Sequence, residues 1–391
     1  MLGERGWASY DRIVREHQQP IRQADLHRWR LIERFGAMLS EEGGQDAGPS
    51  WSDPRRRLEL GQYLGLYLLG LFNPVVTTMR GLCAASHLSR VQEEVCGRPV
   101  SLGSFSEAQA VVDPELLERV LARLRDEQTS PAIGPVASVI DSTVMRVVPR
   151  MSWALWRGGR GPESAVRLHV EFDLERGTVK QARVTPAKCC ERAQWRGLAQ
   201  PGTCYIGDRY YSYDYQLLRE LQDKGVNFVV RLRIDTQWVQ QSEAVLSELD
   251  RAAGVVWSGT VRLGSAGDGP TVRVVQIATE EETILLATTL SQQEAPAELI
   301  ACLYRHRWEV ELFFRWLKCI LGARDWLAES ERGVAIQVYL ALIAAQLLVL
   351  YSGRRPNRRQ MECIRFYLMG WATLDELVRC VGAGAGQSKK P

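Results

Sequence analysis

The chain has 391 residues, 46% hydrophobic and 24% charged, with a formal net charge of +3 and a pI near 8.4. Such a balance fits a globular protein of two or three domains around a substantial core and excludes a disordered chain. Its nine cysteines are odd in number and scattered without a CxxC pair, which argues against structural zinc and against a secreted disulfide framework.

The mild basicity permits a nucleic-acid partner without requiring one. The first twenty residues, MLGERGWASYDRIVREHQQP, carry charges throughout and no apolar signal core, so a cytoplasmic chain is expected.

Residues 1–130 read as an α-helical amino-terminal domain, with apolar positions at three- and four-residue spacing in LHRWRLIERFGAML, RRLELGQYLGLYLLGLF and PELLERVLARLRDE. Pro74 and Pro114 fit a helix stop and a helix start, and Ser104 to Glu107 resembles a capping box. The arginine clusters Arg28, Arg30, Arg34 and Arg55, Arg56, Arg57 read first as solvated faces, with DNA contact as the alternative.

From about residue 135 the period becomes alternating. PVASVID is a strand, and AVRLHVEFDLERGTVKQARVTP is two strands joined at Glu175, Arg176 and Gly177. The short helix CERAQWRGL leads to the strand GTCYIGD, the helix SYDYQLLRELQDKG and a fifth strand, VNFVVRLR. Residues 234–290 stay strand-like and form a β-rich insertion. After it comes one predicted helix, YRHRWEVELFFRWLKCILG, from Tyr304 to Gly322.

VAIQVYLALIAAQLLVLY is about as long as a membrane span but contains Gln337 and Gln346, which favours a buried core helix over a membrane partner. The short basic loop SGRRPNRR follows, then a helical carboxy-terminal segment over 353–391 whose tail, GAGAGQSKKP, is expected to be disordered. No internal repeat and no Gly-rich phosphate loop is present, GRGP being only a turn.

On the Tyr304–Gly322 helix, Tyr304, Arg307, Glu311, Phe314, Arg315 and Lys318 fall on one stripe by the helical repeat, and Trp308, Leu312, Trp316 and Ile320 on a separate apolar stripe. A carboxylate between cations is also common surface decoration, and spacing alone leaves that open. Upstream, Asp141 closes the strand ASVID and Asp208 closes CYIGD. Three carboxylates at two strand ends and on one helix are suited to hold a pair of hard divalent metals. Glu309, Asp173 and Asp214 compete for the third position less well, and His169 and His306 read as satisfied or surface histidines.

Tyr304, Arg307, Glu311 and Lys318 meet the pattern YxxRxxxExxxxxxK in full, and IDST, GDRYYSY and the long insertion before the glutamate accompany it. The sequence thereby resembles bacterial DDE transposases of the insertion-sequence-four type, which carry a YREK signature, over about residues 50–352. It departs from many relatives in having Ser142 and Tyr210 where they have glycine.

The resemblance implies a ribonuclease H-like α/β domain over 131–352, a mixed sheet flanked by helices. It implies Asp141, Asp208 and Glu311 as metal ligands and catalytic residues, with two Mg²⁺ or Mn²⁺ ions as cofactors. The activity would be cleavage at transposon ends and 3′-OH strand transfer into target DNA. The partners would be double-stranded DNA, both terminal inverted repeats and target, and a second copy in a homodimer.

Tyr304, Arg307 and Lys318 would contact phosphate. Arg209, Arg231 and Arg233 are open between DNA contact and surface charge, and Trp238 and Trp257 between stacking on an unpaired base and packing of a β-sheet. A hydrolytic nuclease without strand transfer and a non-cutting DNA-binding descendant are the alternatives.

Overall fold

The computed structural model describes residues 35–39, 41, 58–73, 75–126, 136–147, 151–158, 161–322, 326–352 and 354–382. The Arg28 and Arg55 clusters, Pro74 and most of the tail lie outside the described residues. The chain divides into two compact units, one of Met1–Thr129, Val144–Arg167 and Phe314–Pro391, the other of Ser130–Thr143 and Leu168–Phe313.

The first unit is mainly helical. Helices α1 (Leu60–Phe72), α2 (Met79–Ala85), α3 (Leu102–Ala108) and α4 (Pro114–Asp126) come first. Helix α3 is capped by Ser101, whose side chain accepts from Ser104 N–H, so the cap lies three residues earlier than the SFSE motif suggests.

Strand order is carried by β1 (Val136–Arg146), β2 (Leu155–Gly158), β3 (Gly161–Asp173), β4 (Thr178–Pro186), β5 (Thr203–Gly207) and β6 (Asn227–Leu232), followed by β7 (Trp238–Glu243), β8 (Val255–Leu263), β9 (Thr271–Ala278) and β10 (Thr283–Thr288). They run β2-β3-β1-β5-β6-β10-β9-β8-β7, with β4 on β3. β1 pairs with β5, and β5 with β6, in parallel.

Leu174 N–H bonds Ala137 near the start of β1, and Val147 N–H bonds Ser164 near the start of β3, so β1 and β3 run antiparallel. Gly177, at φ +64°, closes the β3–β4 turn with its N–H on Asp173 O. Three antiparallel strands followed by two parallel ones in the order β4-β3-β1-β5-β6 make a ribonuclease H-like mixed sheet.

The β-rich insertion does not form a sheet of its own. β10 pairs antiparallel with β6, and β9, β8 and β7 continue outward from there. Helices α5 (Glu191–Leu198) and α6 (Tyr215–Asp223) cover one face, where Ile140, Trp195, Tyr205, Tyr211, Leu217 and Phe228 share a core with Val261 and Val274 of the insertion. One apolar core therefore runs from the first strand of the sheet into the insertion.

Helices α7 (Glu248–Ala252), α8 (Ala297–His306), α9 (Trp308–Cys319), α10 (Glu331–Ser352), α11 (Arg358–Leu368) and α12 (Leu374–Gly382) complete the described chain. Helix α10 is long and apolar enough to cross a membrane, but most of it is buried inside the protein, as a core helix is. Its Gln337 accepts from Leu327 N–H at 2.9 Å, and its Tyr339 hydroxyl donates to Glu118 at 3.1 Å. All nine cysteines are free thiols.

Candidate active site

The β1/β5 register aligns Val136 with Thr203 and Val139 with Ile206. Asp141 follows that paired stretch on β1 and Asp208 follows the end of β5, and the charge of Asp208 acts on the Asp141 carboxyl. Ile140 points into the core shared with Trp195 and Tyr205, which sends Asp141 to the opposite face of the strand.

Gly207 precedes Asp208 and lets the chain turn. A Cβ there would come within 2.9 Å of the Tyr211 ring, which is buried and held edge-on by Trp195 at 4.9 Å. Past the turn, Asp208 Oδ1 accepts from Tyr210 N–H at 2.8 Å, and Asp141 Oδ1 accepts from Ser142 N–H at 2.7 Å. Each carboxylate is thus oriented by a backbone amide.

The expected single helix is two. Helix α8 ends at His306 and α9 begins at Trp308, with Arg307 between them in right-handed helical geometry (φ −52°, ψ −31°). Arg307 N–H bonds Tyr304 O and Val310 N–H bonds Arg307 O, a local tightening to three-residue spacing.

The expected faces hold at Trp316 and Arg315 but fail at Trp308, Leu312 and Phe314. Val310, Phe313, Phe314, Trp316 and Leu317 are buried, whereas Trp308 and Leu312 are exposed, Trp308 by 50%. Phe314 belongs to the packed face rather than the functional stripe. The segment is apolar around most of its circumference, so periodicity alone does not say which side faces the core. Phe313 fixes α9 against β3, its ring 5.4 Å from Phe172.

Arg307 joins two of the acids. Its Nη2 donates to Glu311 Oε1 at 2.6 Å, and its Nη1 lies 3.5 Å from Asp141 Oδ2. Burial pushes the Asp141 carboxyl up to about 6; the Ser142 amide and Arg307 oppose this, while the charges of Asp208 and Glu311 add to it. The charges of Asp208 and Glu311 thus both reach Asp141.

Burial also raises the Tyr304 phenol, countered by Arg307 and Arg231. The Arg307 guanidinium lies 5.8 Å from the Tyr304 ring centre. Arg231 pairs with Glu282 at 2.6 Å. Lys318, on the last turn of α9, donates to Val144 O at 2.9 Å, and burial lowers its pKa.

The other sequence candidates lie elsewhere. Arg209 is exposed, and Arg233 pairs with Asp235 at 2.5 Å and approaches the Tyr213 ring at 5.9 Å. Trp238 and Trp257 stack on each other, ring centres 6.3 Å apart, against the core of the sheet. Packing takes up part of each ring, and both stay half-buried. Asp173 is occupied by Arg176, and His169 by Thr185.

Among the described residues no three His, Cys, Asp or Glu side chains are placed to share one metal ion. A pair of ions with a shared ligand asks less, since each needs only two carboxylates and keeps its waters. The half-buried oxygen donors of Asp141, Asp208 and Glu311, two of which raise the third by their charge, are of the type that hard divalent cations take.

A model of the transposase DDE domain matches residues 133–347, more than half of the chain, and spans all three acids. The chain belongs to the transposase DDE domain family. It is 29% identical over 269 residues to the putative transposase y4zB of Sinorhizobium fredii, covering 67% of this chain and 71% of that protein. To the probable transposase for insertion sequence element IS5377 of Geobacillus stearothermophilus it is 27% identical over 243 residues, covering 60% and 63%. Among solved structures, a piggyBac transposase synaptic complex with hairpin DNA aligns with 90% of this chain and 84% of its own at a TM-score of 0.45 and 10% identity.

Membership of the DDE transposase family makes the chain a DNA-acting enzyme of transposition whose chemistry uses divalent metal ions. Sequence reasoning missed one contact beside Asp208. Tyr210, which follows Asp208 by two residues, lies under the Arg192 guanidinium at 4.7 Å. No spacing signal joins positions so far apart in sequence.

Proposed function

We propose that this chain cleaves DNA at transposon ends and joins the freed 3′-OH to target DNA, with Asp141, Asp208 and Glu311 as the catalytic acids. The observation that supports it most is the Arg307 guanidinium held between Asp141 and Glu311, with the Asp208 charge also acting on Asp141. Two Mg²⁺ or Mn²⁺ ions, when bound, supply activation of the attacking oxygen and stabilisation of the leaving one.

In this reading Asp141, Asp208 and Glu311 would hold the ions, Asp141 serving both. Arg307 neutralises the acids in the absence of metal and turns its fork to the phosphate when DNA arrives. Lys318 contributes a point charge to phosphate, and Tyr304 holds Arg307 and Arg231 in place. The helical residues before 130 are assigned to binding of the transposon end, and the active form is a homodimer bridging two ends.

A strand-transfer assay with precut ends and Mg²⁺ tests the reading. Product joined to target supports it. Cleavage without joining indicates a hydrolytic nuclease, and end binding without cleavage a non-cutting descendant.

A further inference from the structure

The β-rich insertion grips the start of helix α8. Pro296 precedes α8 and supplies no side-chain cap. The acceptor comes instead from α7, where the wholly buried Asp250 accepts from Glu298 N–H through Oδ1 at 2.9 Å and from Ser247 N–H through Oδ2 at 2.8 Å. A carboxylate in that place also faces the positive end of the helix.

Arg273 of β9 holds the turn that leads into α8. Its Nη1 donates to Ala295 O and, at 3.4 Å, to Ser291 O, while its Nε donates to Ser258 of β8 at 3.1 Å. The side chain is buried, and burial lowers the pKa of the guanidinium against the opposing charges of Asp250 and Glu298. Replacing such a buried ionic group by an apolar one of similar volume is often neutral or stabilising, so stability by itself does not account for the arginine.

We propose that Asp250 and Arg273 are positioning residues, which set the Arg307 guanidinium between Asp141 and Glu311 by fixing the start of the helix that leads to it. The inference rests on the reading of Arg307 as part of the catalytic site. Helix α8 runs unbroken from Ala297 to His306, and Arg307 follows it in right-handed helical geometry, so a tilt at the capped end moves the guanidinium at the other. A misplacement of about 1 Å can cost about a hundredfold in rate, even when it originates far from the chemistry.

The test is a double-mutant cycle in the full chain, read as single-turnover cleavage in Mg²⁺ of a duplex carrying the inverted repeat that adjoins the gene, beside a binding titration with the same duplex. Asp250→Ala should lower cleavage about tenfold and leave affinity within a few-fold of wild type. In an Arg307→Ala background the same substitution should cost less than about twofold, since the group it positions is gone. A residue that only holds the fold together would cost the same in both backgrounds, and that result overturns the proposal. So does wild-type cleavage by Asp250→Ala. Arg273→Lys, which keeps the charge but cannot hold Ser258 and Ala295 together, goes through the same cycle if the alanine variant fails to fold. Normal cleavage by Arg307→Ala alone removes the underlying reading of Arg307 as well.

Discussion

Arg307 places Nη1 3.5 Å from the Asp141 carboxylate while its other terminal nitrogen donates to Glu311 at 2.6 Å, so one guanidinium stands between two acids from distant parts of the chain. Losing it leaves a cluster of carboxylates without its positive neighbour. Arg307→Ala should therefore lower DNA cleavage at least about tenfold, the cost of roughly one charge-assisted hydrogen bond in a half-buried site. Arg307→Lys should recover little of this, since a point charge cannot reach both acids at once. Single-turnover cleavage of end DNA measures both variants.

The Asp141 carboxyl, held up to about 6 against an ordinary 3.8, makes a stability prediction with a definite sign. Below about pH 4 it is protonated in the folded and the unfolded chain alike. As pH rises through the window from 4 to 6 the unfolded chain ionises first, so stability falls, and above 6 the loss is constant. Two pH units correspond to about 2–3 kcal/mol at most. Asp141→Asn should therefore raise the melting temperature of the metal-free protein at pH 8 by a few degrees, and should not raise it at pH 4. Added Mg²⁺ should stabilise the wild type at pH 8 and the variant less. An asparagine variant that melts lower at pH 8 would show that the acid is not destabilised there.

Gly207 carries a prediction about positioning. Its Cβ would meet the Tyr211 ring at 2.9 Å, and that ring is wedged against Trp195. Gly207→Ala should cost about 1–3 kcal/mol by overpacking and shift Asp208, the next residue. Urea denaturation gives the first quantity. Cleavage should fall more than end binding, because the displaced group is an acid and not a DNA contact.

Trp257 separates packing from base recognition. It stacks on Trp238 against the core, so Trp257→Ala should cost about 2 kcal/mol or more of stability. Affinity for end DNA with an unpaired terminal base should match that for blunt DNA in the variant as in the wild type. A selective loss for the unpaired substrate would return the tryptophan to the site.

The alternation of VASVID and TCYIGD and the turn at Gly177 make the central strands legible in the sequence, but β1 runs on to Arg146, so Asp141 lies inside its strand rather than closing it. Helix α9 is less legible. Trp308, Val310, Leu312, Phe313, Phe314, Trp316 and Leu317 leave no single apolar side, so the buried face depends on β3 supplying Phe172, a partner far off in sequence. The break at Arg307 is equally hidden, because its backbone stays helical and only the hydrogen bonding tightens. Nor does a strand pattern reveal that β10 joins β6 to extend the sheet, since register is set between chains of residues and not along one.

The most direct measurement is cleavage of end DNA in Mg²⁺ by Asp141→Ala, Asp208→Ala and Glu311→Ala, each beside an end-binding titration. All three should lose cleavage by about a thousandfold or more while binding the end within a few-fold of wild type. Near-normal cleavage by any one of them would contradict its assignment and, with it, the shared metal site.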